Sequence, residues 1–149
     1  MAAITKPSLW NDSESKLRAY ICGKLGDDPD SNNWIGEFPE GAYNGWYLEI
    51  QGGGEPIDFD VNVDTPGGCG EWGMDGQIVG RFTERENAQY LGNMIRTLMP
   101  LAENTIKGIY RCRPRSKPRL NHDYIDRGGN KRIPVWVLTY DLEVILKEQ

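Results

Sequence analysis

Hydrophobic and polar positions along the chain fall into stretches of two different periods. Leu17, Ile21 and Leu25, joined by Tyr20, recur at helical spacing and predict an amphipathic helix over 11–25. Asn11 and Asp12 are its capping candidates and Gly26 its stop. The polar run from Asp27 to Glu40 reads as a loop. Trp46, Leu48 and Ile50 then alternate with Tyr47, Glu49 and Gln51, up to the Gly52-Gly53-Gly54 break. Ile57, Phe59, Val61 and Val63 alternate with Asp58, Asp60, Asn62 and Asp64, the pattern of a half-buried strand with an acidic outer face. A glycine-rich stretch over 65–76 reads as a loop leading to a strand over 77–82.

The second helix carries the sharpest signature. Thr83-Glu84-Arg85-Glu86 has the form of a capping box, in which Thr83 and Glu86 bond reciprocally to the free helix-start amides. Ala88, Leu91, Ile95 and Leu98 make the apolar stripe, with Tyr90 and Met94 beside it, and Pro100 predicts the end. Residues 106–120 read as extended. Trp136, Leu138, Tyr140, Leu142, Val144 and Leu146 alternate with Val137, Thr139, Asp141, Glu143 and Lys147 in a last strand long enough to sit in mid-sheet. The order α-β-β-β-α-β-β predicts one α+β domain over 1–149, two helices on a mostly antiparallel sheet. Projecting loops are expected near 27–45, 65–76 and 111–132.

Composition adds bounds. A chain of 149 residues, 38% hydrophobic and 26% charged, suits one folded domain rather than a disordered or membrane-spanning one. The first ten residues lack an apolar signal core, so secretion is not indicated. Cys22, Cys69 and Cys112 are odd in number and widely spaced, and read as free thiols in a reducing compartment.

The net charge of −5 hides a division. Residues 1–80 hold four basic and fourteen acidic groups, whereas residues 81–149 hold thirteen basic and eight acidic ones. From Lys107 to Arg132 there are nine cations and two carboxylates. Within that run Arg111, Arg113, Arg115, Lys117 and Arg119 occupy every odd position. At a strand's rise they form a row of about 27 Å on one side. Pro114 and Pro118 fall on the other parity and restrict the run to a sheet edge or an arm. Such a row reads either as a solvated edge that discourages aggregation or as a contact for something acidic. No aromatic follows Tyr110 within it, which favours acidic protein over nucleic acid. With Arg127, Lys131 and Arg132 it makes a basic assembly surface. Asp27, Asp28, Asp30, Asp58, Asp60 and Asp64 make an acidic one. Trp34, Tyr43, Trp46 and Trp72 lie in or beside expected loops, as interface anchors or as packing beneath those loops.

Catalytic chemistry finds little support. Gly68-Cys69-Gly70-Glu71-Trp72-Gly73 matches a dinucleotide-binding spacing, but a further glycine and a strand follow where a helix is required. Asp58, Asp60 and Asn62 imitate the start of a calcium loop, yet Val63 and Cys69 stand where glycine and glutamate are needed. His122, the only histidine, has no identifiable nucleophile beside it. Asp58, Asp60 and Glu49 could in principle serve a metal-dependent nuclease or hydrolase, without a recognisable spacing. The sequence thus predicts no catalytic residue, no cofactor and no metal.

The element order resembles the tail terminator proteins of long-tailed bacteriophages. The residues that carry it are the helix from Glu14 to Leu25, Trp46-Tyr47-Leu48-Glu49-Ile50, and the strand from Asp58 to Val63. Gln77-Ile78-Val79-Gly80-Arg81-Phe82 follows, then the helix with Ala88, Leu91, Ile95 and Pro100, and the closing strand from Trp136 to Val144. The tryptophan-rich 34–46 and glycine-rich 65–76 do not map onto that family. The resemblance implies a homo-oligomeric ring, typically of six subunits, that caps the tail tube, ends its growth and joins it to the neck or connector. It implies a virion location after assembly in the host cytoplasm, and contact with nucleic acid only as it passes through the ring. A neck or head–tail completion protein of the same virion is the alternative.

Overall fold

A computed structural model describes residues 8–26, 32–50, 55–56, 71–106, 108–126 and 128–147. The domain is α+β, with two helices on a mixed sheet. Helix α1 (Ser8–Leu25) precedes β1 (Asn33–Ile35), β2 (Gly45–Ile50), the two-residue β3 (Glu55–Pro56) and β4 (Glu71–Phe82). Helix α2 (Arg85–Thr105), β5 (Ile109–Pro114), β6 (Arg119–Asp126) and β7 (Arg132–Lys147) complete it. The strand order is β1-β2-β4-β7-β5. β3 also pairs with β4, and β6 with β7. β1 runs parallel to β2; every other pairing is antiparallel.

The predicted alternation of the last strand sets the architecture. Leu138, Tyr140, Leu142 and Val144 are buried on one face of β7, in one cluster with Met74, Ile78, Ile109 and Cys112 of its neighbours β4 and β5 and with Trp46 and Leu48 of β2 beyond them. Leu17, Ile21 and Cys22 of α1, with Ala88, Leu91, Ile95, Leu98, Met99 and Ala102 of α2, close the core over that face. The opposite parity carries Thr139, Asp141 and Glu143 on β7 and Asp75 and Gln77 on β4, which lie opposite one another in the register. β7 is central because β4 lines one side while β5 and β6 share the other.

Several expectations are corrected. Helix α1 begins at Ser8, so Asn11 and Asp12 fall inside it rather than capping it. The 27–40 loop contains β1, ordered by parallel pairing of Asn33, Trp34 and Ile35 with Trp46, Tyr47 and Leu48. The expected 65–76 loop is corrected over 71–76, where β4 already pairs with β7 from Glu71 because its partner strand is long enough to hold the glycines; residues 65–70 lie outside the described residues. The expected strand over 57–64 lies outside the described residues. The capping box does not form. Glu84 is the N-cap without a side-chain bond, and Thr83 instead donates its N–H and hydroxyl to Asn44 Oδ1 at 3.0 and 3.1 Å.

Pro100 lies within α2 rather than ending it. A proline there removes one helical hydrogen bond, while Leu98, Met99 and Ala102 keep the buried stripe running past it. The helix ends at Ile106, whose N–H still bonds Ala102 O. The expected 106–120 strand is divided in two. Pro114 lies opposite Leu142 and Arg119 opposite Thr139, so five steps of one chain accompany three of the other. The extra residues bulge out around Ser116 and Lys117.

Candidate assembly surface

The basic row is where sequence and structure differ most. Arg111 bridges Glu143 at 3.5 Å, Arg113 Nε bridges Glu103 at 3.0 Å, Arg115 reaches Asp75 at 2.9 Å and Arg119 meets Asp141 at 3.4 Å. Four of the five cations of the row therefore meet carboxylates of their own subunit. β7 sets Asp141 and Glu143 alongside β5 and β6, α2 supplies Glu103 and β4 supplies Asp75. These bridges are exposed on at least one partner, and such pairs contribute little to stability. They do neutralise the row. Among the described residues, Lys117, exposed in the bulge, is the member of the row without an ion pair.

Arg115 crosses over β7 to Asp75 on β4. It spans an open depression of about 250 Å³ lined by Asp75, Gly76, Gln77, Arg115, Asp141 and Leu142. The charges there are already compensated. Among the described residues no three His, Cys, Asp or Glu side chains are grouped to hold a metal ion. Asp58 and Asp60, proposed beside Glu49 for that chemistry, lie outside the described residues, as do Asp27, Asp28, Asp30, Asp64 and Arg127.

What extends from the sheet is a two-stranded ribbon. β4 accompanies β7 only as far as Phe82 opposite Trp136. Beyond it β6 and β7 continue together through Tyr124 opposite Pro134 to Asp126 opposite Arg132. Pro134 is tolerated because β7 has no partner there on its other side. Gly128, Gly129 and Asn130 turn the chain with positive φ values of 82°, 58° and 64°. Lys131 and Arg132 are exposed at the tip. On one face of the ribbon the rings of Tyr124, His122 and Trp136 meet edge to face at 5.4 and 5.0 Å. The Arg85 guanidinium lies 5.6 Å over Trp136. Tyr124 is 57% exposed. Sequence reasoning missed this cluster, because the His122–Trp136 pairing appears only with the register.

The proposed aromatic anchors separate. Trp46 is a core residue, 2% exposed, because its parity in β2 faces the helices; that assignment is withdrawn. Trp34 and Tyr43 are half-buried. Trp34 meets Phe38 edge to face at 5.9 Å, Phe38 meets Tyr47 at 4.7 Å, and Arg81 lies 4.1 Å over Phe38. Burial, and then Glu49, push the Tyr47 phenol above its usual range. Trp72 lies in β4 opposite Leu146, not in a loop, and its side chain is outside the described set. Of the thiols, Cys22 and Cys112 are buried and neither is in a disulfide among the described residues. Burial, with Glu103 adding to it, pushes the Cys112 thiol up to about 12, which suppresses thiolate chemistry.

Among the described residues no helix is long and apolar enough to cross a membrane. Compared with known proteins, the chain matches no family model and no curated protein.

Proposed function

We propose that the chain is an assembly subunit of a tailed-bacteriophage virion, a tail-terminator-type protein that closes into a homo-oligomeric ring. In this reading the ring, typically of six copies, caps the tail tube, ends its polymerisation and presents a surface to the neck or connector. The supporting observation is a cationic ribbon tip carried beyond the rest of the sheet by β6 and β7. Arg132 and Lys131 lie at one end of β7, and Lys147 at the other is opposite Glu71. Fifteen residues of strand separate these ends by about 50 Å. A closed ring of identical subunits needs two different, complementary patches on each copy, and the exposed cationic ribbon tip supplies one of them.

The neutralised row changes which cations carry this reading. The ribbon tip, Lys131 and Arg132, takes over from Arg111, Arg113, Arg115 and Arg119. Native mass spectrometry at physiological salt, with and without tail-tube protein, tests the proposal. A closed oligomer that weakens as salt rises supports it. A strict monomer under both conditions refutes it. Association with connector protein and not with tail tube would assign the chain to the neck instead.

A further inference from the structure

A helix side chain meets the main chain at each lateral edge of the sheet. On β1, Arg18 of α1 donates to the Asn33 main-chain oxygen at 3.5 Å and also to its side-chain oxygen. On β5, Glu103 of α2 accepts the Cys112 N–H at 3.0 Å. β6 is barer. Six of its eight residues are exposed, and it holds no proline and no break in register. The main-chain groups of its even positions point outward, because the Tyr124 N–H donates to Asp123 Oδ1 at 2.8 Å rather than to β7. Such an edge is a template for an added strand.

We infer that β6 pairs antiparallel with β6 of a second copy of this chain, around a two-fold axis at Asn121. The inference goes beyond the ring reading and does not rest on it. A two-fold joint uses one patch twice, whereas a cyclic ring needs two unlike ones. Charge selects both the occupant and the register. Arg119 and Asp123 are exposed and share one parity of β6. An axis at Asn121 sets each of them opposite the other residue of the second copy, and opposite charges facing across strands are stabilising. An axis at Asp123 opposes that carboxylate to itself, and one at His122 opposes Arg119 to Ile125, which is buried. In the chosen register Leu120 and His122 exchange main-chain hydrogen bonds with His122 and Leu120 of the second copy. The Tyr124 N–H leaves Asp123 for the Pro118 carbonyl of the second copy, and the freed carboxylate takes that copy's Arg119 guanidinium. Arg119 keeps Asp141, at 3.4 Å, with another arm of its five-donor fork. On the other face the Tyr124 ring, 57% exposed, comes to lie against Pro118 of the second copy. Pro118 is exposed too, with its ring on the side of Gly92 of α2.

Charge exchange tests this on the full chain, by sedimentation velocity over a concentration series. The wild type is expected to dimerise. Arg119→Asp and Asp123→Arg should each stay monomeric, since like charges then meet across the axis. An equimolar mixture of the two variants should dimerise again, and so should the double variant, in which both charges are exchanged. Asn121→Cys should give a disulfide-linked dimer on oxidation, with the wild-type chain and its own thiols as control. The non-hydrogen-bonded pair on the axis brings the two Cα atoms to about 4.5 Å, within disulfide range. The His122 and Tyr124 amides should exchange at least about tenfold more slowly in the dimer. A monomeric wild type, or single variants that dimerise like wild type, overturns the inference. Protection of these amides only when tail-tube protein is added gives the edge to that partner and overturns self-pairing. Closed rings in which Asn121→Cys does not cross-link refute the edge joint and leave the ring reading standing. Dimers that cross-link but grow no larger with tail tube uphold the joint and refute the ring.

Discussion

Glu103 joins the end of α2 to the edge of the sheet, and removing it measures how much that edge needs its cover. One oxygen, Oε1, accepts both the Cys112 N–H and Arg113 Nε at 3.0 Å, and the side chain is 13% exposed. Glu103→Ala leaves the Cys112 N–H without a partner in a partly buried site. An unsatisfied group of this kind costs about 1–3 kcal/mol. Alanine's better helix propensity returns a few tenths of a kcal/mol, so a net loss of about 1–2 kcal/mol is expected. Arg113 is too exposed for its bridge to add much. For a chain of this length the loss corresponds to a fall in Tm of about 3–6 °C. Glu103→Gln keeps an acceptor for the amide and should retain most of the stability. Arg113→Ala should be nearly neutral. Urea unfolding followed by tryptophan fluorescence reads all three, as midpoint shifts at constant slope. The reasoning is refuted if Glu103→Ala and Glu103→Gln unfold together, or if Arg113→Ala costs as much as Glu103→Ala.

Three further outcomes can be checked on the same protein. Alanine at Gly45 would place its Cβ 2.4 Å from the Asn32 carbonyl oxygen, at Gly80 2.6 Å from Phe82 and 2.8 Å from Leu91 side-chain atoms, and at Gly76 no closer than 3.3 Å. The loss of stability should follow that order, with about 1–3 kcal/mol for Gly80→Ala and more for Gly45→Ala, where backbone must move; a reversed order in thermal melts would refute the packing. Pro100→Ala restores an N–H inside α2 at an exposed position and should stabilise by about 1–3 kcal/mol, whereas a lower Tm would mean that the interruption is needed. Because the Cys112 thiol rises from 9.0 to about 12 on folding, the unfolded chain loses its proton first. Its contribution to stability is complete below pH 9 and lost as pH rises towards 12, so wild type should lose urea resistance more steeply than Cys112→Ala above pH 9; parallel curves would refute this.

Local periodicity determined which residues of this chain face inward. The alternation of β7, the stripe of α2 and the Leu17–Ile21 stripe of α1 could all be read from the sequence, because burial on one face repeats at the period of the element that carries it. The prolines at 114 and 118 also marked a sheet edge correctly, since a missing N–H is a local property. Pairing was not local. Asp141 and Glu143 stood in the sequence as the polar parity of one strand, and the arginines as the polar parity of another. Only the register between strands brought them together and cancelled the charge row. The same holds for β1, whose three residues carry no pattern of their own and are a strand only beside β2. It holds for Pro100, where burial of Met99 and Ala102 outweighs one lost bond, and for Thr83, which bonds Asn44 from 39 residues away rather than capping its own helix. A sequence states the preference of each segment for a face, whereas the free energy that decides between competing partners depends on which segments lie side by side.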